Sequence, residues 1–174
     1  LLGIHPWMHR EIDALVLNHG RYERVAAEDM TIVGLRTTMK TNFEGAVAVW
    51  KAVQPHLTAS ARIVVVGSQL GTRGSPHGAD YSASKAALAM WARSLAQAVG
   101  PQGKRVNILA PGFVDTAILS GDSKQKRAER EQLVPLKRVA TPEDMAGTIS
   151  FLIGPDSSYI TGAIIHVNGG LYLP

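Results

Sequence analysis

The sequence predicts an α/β fold, a parallel β-sheet with helices on its faces. Three observations carry this. Strand-like and helix-like segments alternate along the chain. The strand-like segments are near-continuous apolar runs, as strands covered on both faces require. Each such run ends in a turn built from glycine, proline or asparagine.

The first strand is DALVLN, Asp13 to Asn18, closed by His19-Gly20. It reads as buried on both faces. A helical pattern follows from Glu28 to Leu57, with Phe43, Val47 and Trp50 among its apolar positions. RIVVV, Arg62 to Val66, is the second strand, and Gly67 to Gly78 a glycine-rich loop. The segment YSASKAALAMWARSLAQAVG is rich in helix formers and stops at Gly100-Pro101. Val106 to Leu109 is the third strand, ended by Pro111-Gly112. Thr116 to Val134 is polar. Thr141-Pro142-Glu143-Asp144 starts another helix: threonine caps it, proline takes the first turn, and acids sit at the positive dipole end. Ala163 to Val167 is the fourth strand, closed by Asn168-Gly169-Gly170.

The 174 residues suffice for one domain with a real core. No run of eighteen apolar residues indicates a membrane span. The chain has no cysteine, which excludes disulfides and thiolate metal sites and fits a reducing, cytoplasmic compartment. The net charge of +4 is mild. Lys124, Lys126, Arg127 and Arg130 interleave with Asp122, Glu129 and Glu131. That run reads as an exposed helix rather than a nucleic-acid surface. His5, His9, His56, His77 and His166 show no metal-ligand spacing, and His19 reads as solvent-facing. The chain opens LLGIHPWMHR, without an initiator methionine, and reads as a piece of a longer protein.

In such sheets ligands bind beyond the carboxyl ends of the strands. Asn18-His19-Gly20, Gly67-Ser68 and Ala110-Pro111-Gly112 are therefore candidates for one rim. Tyr81 and Lys85 stand one turn apart on one helix face. A phenol with an ordinary pKa near 10 is a poor acid–base at neutral pH. A nearby ammonium favours the phenolate, so the expectation is a lowered Tyr81 pKa and proton exchange with an alcohol or ketone. The pair alone is weak, since chance gives it to roughly a third of chains this long. Ser68 lies thirteen residues earlier, after a strand. Alone it is a turn or capping residue; beside Tyr81 its hydroxyl could hold a carbonyl oxygen. Asn42 lies inside a helical stretch that asparagine suits poorly. A local irregularity there could free a carbonyl to hold a water near Lys85, although an exposed asparagine is the plain alternative.

Together LVLNHG (15–20), TNFEG (41–45), RIVVVGS (62–68), YSASK (81–85), VNILAPGFVDT (106–116) and YITGAIIHVNGG (159–170) resemble the short-chain dehydrogenase/reductase family in order and spacing. Leu17 and His19 depart from its fourth-strand motif. The resemblance implies the C-terminal part of a doubly wound, Rossmann-type sheet and an NAD(P)-dependent exchange of ketone and secondary alcohol. By it, Tyr81 is the acid–base and Ser68 positions the carbonyl. Lys85 holds the nicotinamide ribose, and Asn42 anchors a water. Asn18 and Gly20 flank the adenosine side; Pro111, Gly112, Val114 and Thr116 contact the nicotinamide.

The family begins with a glycine-rich βαβ unit that receives the pyrophosphate, and LLGIHPWMHR is too short to hold one. The expectation is a single incomplete domain over 1–174, with no readable preference for NAD or NADP. On its own the chain should bind cofactor poorly, expose a sheet edge and apolar helix faces, and be marginally stable. The alternative is a truncated, non-catalytic relative that serves as an oligomer partner. The tail and PLKRVATPEDMA most resemble 3-oxoacyl-[acyl-carrier-protein] reductases. Arg62, Lys104 and Arg105 are available for an acidic carrier protein. The resemblance implies docking arginines where Ala59 and Gln102 stand, which weakens the carrier-protein reading. Ile118 to Val134 reads as a substrate lid. The partners implied are a small carbonyl or alcohol substrate, with no nucleic acid and no membrane, in a homodimer or homotetramer. Trp50, Trp91 and Leu171 suit either that interface or the core.

Overall fold

A computed structural model describes residues 11–174. LLGIHPWMHR, with His5 and His9, lies outside them, and so does the expectation attached to that segment. The described chain forms one four-stranded parallel sheet in the order β1-β2-β3-β4. These are β1 (Ile12–Leu17), β2 (Leu57–Val66), β3 (Arg105–Pro111) and β4 (Ile164–Val167).

Period-two alternation sorts the strand residues onto two faces. Ile63, Val65, Val106 and Ile108 face one core with Leu17, Ala46, Trp50, Leu88 and Ala92. Val64 and Leu109 face the other, with Met145 and Leu152. The first layer comes from α2 (Gly45–Val53) and α4 (Ala79–Val99), with α1 (Ile32–Met39) packed against α4; the second comes from α6 (Pro142–Ile153). The sheet is thus covered on both faces, as the apolar runs require. Trp50 is buried and Trp91 packs against the same core, so core packing explains both.

β1 is the exception. It pairs only with β2 among the described residues, and Asp13, Ala14 and Val16 are exposed. Burial of β1 on both faces is therefore corrected: an edge strand shields only what its single neighbour and the layers above it cover. Ile32, Val33, Val49 and Met90 are also exposed, so apolar helix surface faces outward. The predicted helix from Glu28 to Leu57 is broken into α1, a π turn at Lys40–Glu44, and α2. The glycine-rich loop holds a short helix, α3 (Leu70–Arg73). The charged run forms α5 (Lys124–Leu133), which has no buried residue. At α6, Thr141 and Asp144 make a reciprocal capping box. Among the described residues no helix is long and apolar enough to cross a membrane.

Arg105 is not a free surface cation. Its guanidinium donates to the carbonyls of Leu152, Gly154 and Ile160 at 3.1–3.2 Å, stitching the end of α6 to the β4 approach. Arg62 pairs in register with Arg105 at the amino-terminal end of β3. The catalytic candidates lie at the other ends of these strands, roughly 13–20 Å away at about 3.3 Å per residue. The basic residues expected at the site mouth are thus at the wrong end of the sheet. Ala59 lies there too, its carbonyl 3.1 Å from where a Cβ on Gly103 would sit. Arg105→Ala should lower stability by about 2–3 kcal/mol, because charge-assisted bonds to three carbonyls are lost together. Thermal or urea unfolding measures this; a change under 0.5 kcal/mol would show that the stitch carries no weight.

Candidate active site

Parallel register sets the rim. Leu17 pairs with Val65, and Val66 with Leu109, so the carboxyl ends of β1, β2 and β3 finish side by side. The residues that follow enclose a cleft of about 320 Å³. Asn18, Gly20, Ser68, Tyr81, Lys85, Pro111, Gly112, Val114 and Thr116 all line it. The structure therefore brings together every candidate except Asn42.

Tyr81 lies in the first turn of α4 and Lys85 one turn on, its Nζ 5.8 Å from the phenol ring centre. Lys85 is 3% exposed and donates to the Val66 carbonyl at 2.8 Å. An ammonium has three donors. This one has a single recorded acceptor among the described residues and borders the cleft, so it has donors to offer a ligand. Close packing puts it there. A Cβ on Gly71 would lie 2.9 Å from the Lys85 carbonyl carbon, so α3 rests on the α4 backbone. A Cβ on Gly20 would lie 3.3 Å from Lys85 Nζ. Glycine lets the loop after β1 pass over the ammonium.

Burial sets the electrostatics. It lowers the Lys85 pKa from 10.5 to about 8. It also raises the Tyr81 pKa; the Ser68 hydroxyl pulls the other way, and neighbouring Tyr22 adds to the rise. The expected lowering of the Tyr81 pKa is therefore corrected: desolvation by burial outweighs the lowering by Ser68. A phenol that stays protonated at neutral pH is in the state needed to donate to a carbonyl oxygen.

Asn42 is fully buried and sits in the π turn, where the sequence indicated an irregularity. Its amide donates to the Arg21 carbonyl and to Ser84 Oγ, both at 2.9 Å, and its Oδ1 accepts from Arg21 N–H at 2.7 Å. Ser84 Oγ donates in turn to the Tyr81 carbonyl at 2.7 Å. The side chain thus ties the post-β1 loop to the first turn of α4, one residue behind the cleft wall.

Several wall residues had no signal in the sequence. Tyr22 meets Tyr81 edge-on, ring centres 5.1 Å apart at 81°, and its hydroxyl donates to the His77 carbonyl at 2.7 Å. Gly78, at φ +131°, makes room for it: a Cβ there would sit 2.8 Å from the Tyr22 ring. A lone loop tyrosine has no periodicity to betray it. Gln69 and, from α6, Met145 and Ile149 also line the cleft. The outer wall includes Ile118, Leu119 and Arg130, within the expected lid. Arg130 stacks on Phe113, 4.5 Å from the ring centre, and pairs with Asp122. Arg127 binds Asp115 at 2.7 Å. Thr116 is exposed, and its hydroxyl is 3.4 Å from the Val114 carbonyl. His19 is exposed, as expected.

The profile described as enoyl-(acyl carrier protein) reductase matches residues 7–172. A 3-oxoacyl-[acyl-carrier-protein] reductase of Salmonella typhimurium is 34% identical over 165 residues, 94% of this chain and 68% of that protein. One from Chlamydia muridarum is 38% identical, covering 92% and 65%. The crystal structure of a short-chain dehydrogenase/reductase from Brucella melitensis superposes with a TM-score of 0.89 at 33% identity, over 94% of this chain and 66% of that one. The chain belongs to the short-chain dehydrogenase/reductase family. It spans about two-thirds of the length of the relatives it matches. Short-chain dehydrogenases/reductases are NAD(P)-dependent oxidoreductases, and a further neighbour at TM-score 0.86 and 29% identity is an angucycline C-6 ketoreductase with bound NADP.

Proposed function

We propose that this protein is a nicotinamide-dependent oxidoreductase that interconverts a ketone and a secondary alcohol, with 3-oxoacyl thioesters as the leading substrate class. One observation supports this above the rest: a protonated phenol, a serine hydroxyl and a buried ammonium share one cleft at the carboxyl ends of a parallel sheet. The names of the relatives support the thioester.

The cleft suits a nicotinamide nucleoside. Glycines at its rim leave the backbone open, and Lys85 offers buried donors that match paired ribose hydroxyls. A bound nicotinamide cofactor would supply or accept the hydride. The chain does the rest. Ser68 Oγ and Tyr81 Oη receive the carbonyl oxygen, and Tyr81 donates its proton as negative charge develops there. Lys85 stabilises the phenolate left behind. Asn42 holds the first turn of α4 in place, and its π turn is the assigned seat of a relay water. Asn18 and Gly20 take the adenosine side, while Pro111, Gly112, Val114 and Thr116 take the nicotinamide. The exposed Val49 and Met90 support a homodimer or homotetramer. The absence of cysteine supports a cytoplasmic setting.

The test is turnover by the full-length gene product with NADH or NADPH and a panel of ketones, including acetoacetyl thioesters. Reduction of the thioester is expected. Reduction of other ketones but no thioester would overturn the substrate class, and no reduction of any would overturn the activity.

A further inference from the structure

Gln69 carries a buried side-chain oxygen with no hydrogen-bond partner among the described residues. It follows Ser68 directly, at the start of α3, and is 2% exposed. Its Oε1 is buried and accepts no hydrogen bond from any described residue. The main chain accounts for none of this. Gln69 N–H donates to the Pro111 carbonyl, and its own carbonyl accepts from Thr72 and Arg73. Leaving a buried amide oxygen unpaired opposes folding. A methionine or leucine would fill similar space without that cost. Yet Gln69 lines the same cleft as Ser68 and Tyr81. Most of the neighbouring wall is apolar: Leu70, Leu109, Val114, Met145 and Ile149.

We propose that Gln69 is a specificity residue that binds a second oxygen of the substrate, a hydroxyl or carbonyl on the carbon next to the reacting carbonyl or one further along. This rests on the ketone–alcohol reading above. An amide can donate to a carbonyl and accept from a hydroxyl, so it serves both chemistries. A site built to hydrogen-bond a substrate oxygen discriminates strongly against analogues that lack it, because its own buried polar group is then left unpaired.

The experiment compares three ketones of matched length in the full-length product and in Gln69→Met: a simple ketone, an α-hydroxyketone and a 3-oxo thioester. In the parent, at least one bifunctional ketone should exceed the simple ketone in kcat/KM by tenfold or more. In Gln69→Met that ratio should collapse by tenfold or more, mostly through KM, with partial recovery in Gln69→Glu for the α-hydroxyketone. Whichever bifunctional ketone loses its advantage identifies the position of the second oxygen. Gln69→Met should also melt at or above the parent temperature, since no hydrogen bond is lost. An unchanged ratio overturns the proposal and leaves the oxidoreductase reading standing. A parent that reduces none of the three overturns both. A fall in the melting temperature with equal losses on all three ketones would show Gln69 to be structural, and the proposal would fail.

Discussion

Tyr81→Phe in the full-length product should lower kcat by about a hundred- to ten-thousandfold while cofactor affinity changes less than threefold. The substitution removes one oxygen. The ring keeps its edge contact with Tyr22 and its place in the first turn of α4. Among the described residues the phenol hydroxyl engages only the Ser68 hydroxyl in the cleft, so stability should be largely preserved. The pH dependence follows from the raised pKa. In the reductive direction Tyr81 must be protonated, so activity should hold through neutral pH and fall only in the alkaline range. Steady-state kinetics and a cofactor titration measure both. Retained turnover would remove Tyr81 from its role, and a reductive rate that falls below pH 7 as pH rises would contradict the protonated phenol.

Lys85→Met should cost cofactor affinity tenfold or more without costing stability. Folding moves an ammonium from water to a site where its pKa is about 8 instead of 10.5. A gap of that size opposes folding by roughly 3 kcal/mol. The bond to the Val66 carbonyl returns about 1–3 kcal/mol. Methionine removes both, so at pH 7 the variant should be as stable as the parent or more so. The sign is checkable. Between about pH 8 and 10.5 the unfolded chain holds a proton that the folded chain has released. The penalty is therefore complete below that window and fades as pH rises through it. Parent stability should climb relative to the variant across that window. Denaturant unfolding at several pH values measures it. A variant several kcal/mol less stable at pH 7 would mean that Lys85 is held for structure rather than for a ligand.

Much of this site was legible in the residues. The turns after β1, β2 and β3 mark the rim because a parallel sheet must end its strands together. The tyrosine–lysine spacing needs only a helix to place both groups on one face. Asn42 was legible as an irregularity, since asparagine inside a helix demands a reason, and the π turn is that irregularity. Other features depend on what the chain meets after folding. The direction of the Tyr81 shift depends on desolvation, which spacing does not report. Arg105 reads as a surface cation until three carbonyls are found around it. The apolar run of β1 shows that it can be buried, but coverage depends on its neighbours. Tyr22 reaches the cleft through tertiary packing alone.

The central claim is that this cleft holds a nicotinamide against Tyr81. Titrating NADH and NADPH into the full-length product tests it without knowledge of the substrate. Energy transfer from protein tryptophan to the reduced nicotinamide reports binding. At least one cofactor should bind with a dissociation constant of about 1–100 μM, and Lys85→Met should weaken it tenfold or more. Binding of neither cofactor, or equal binding by parent and variant, would contradict the account.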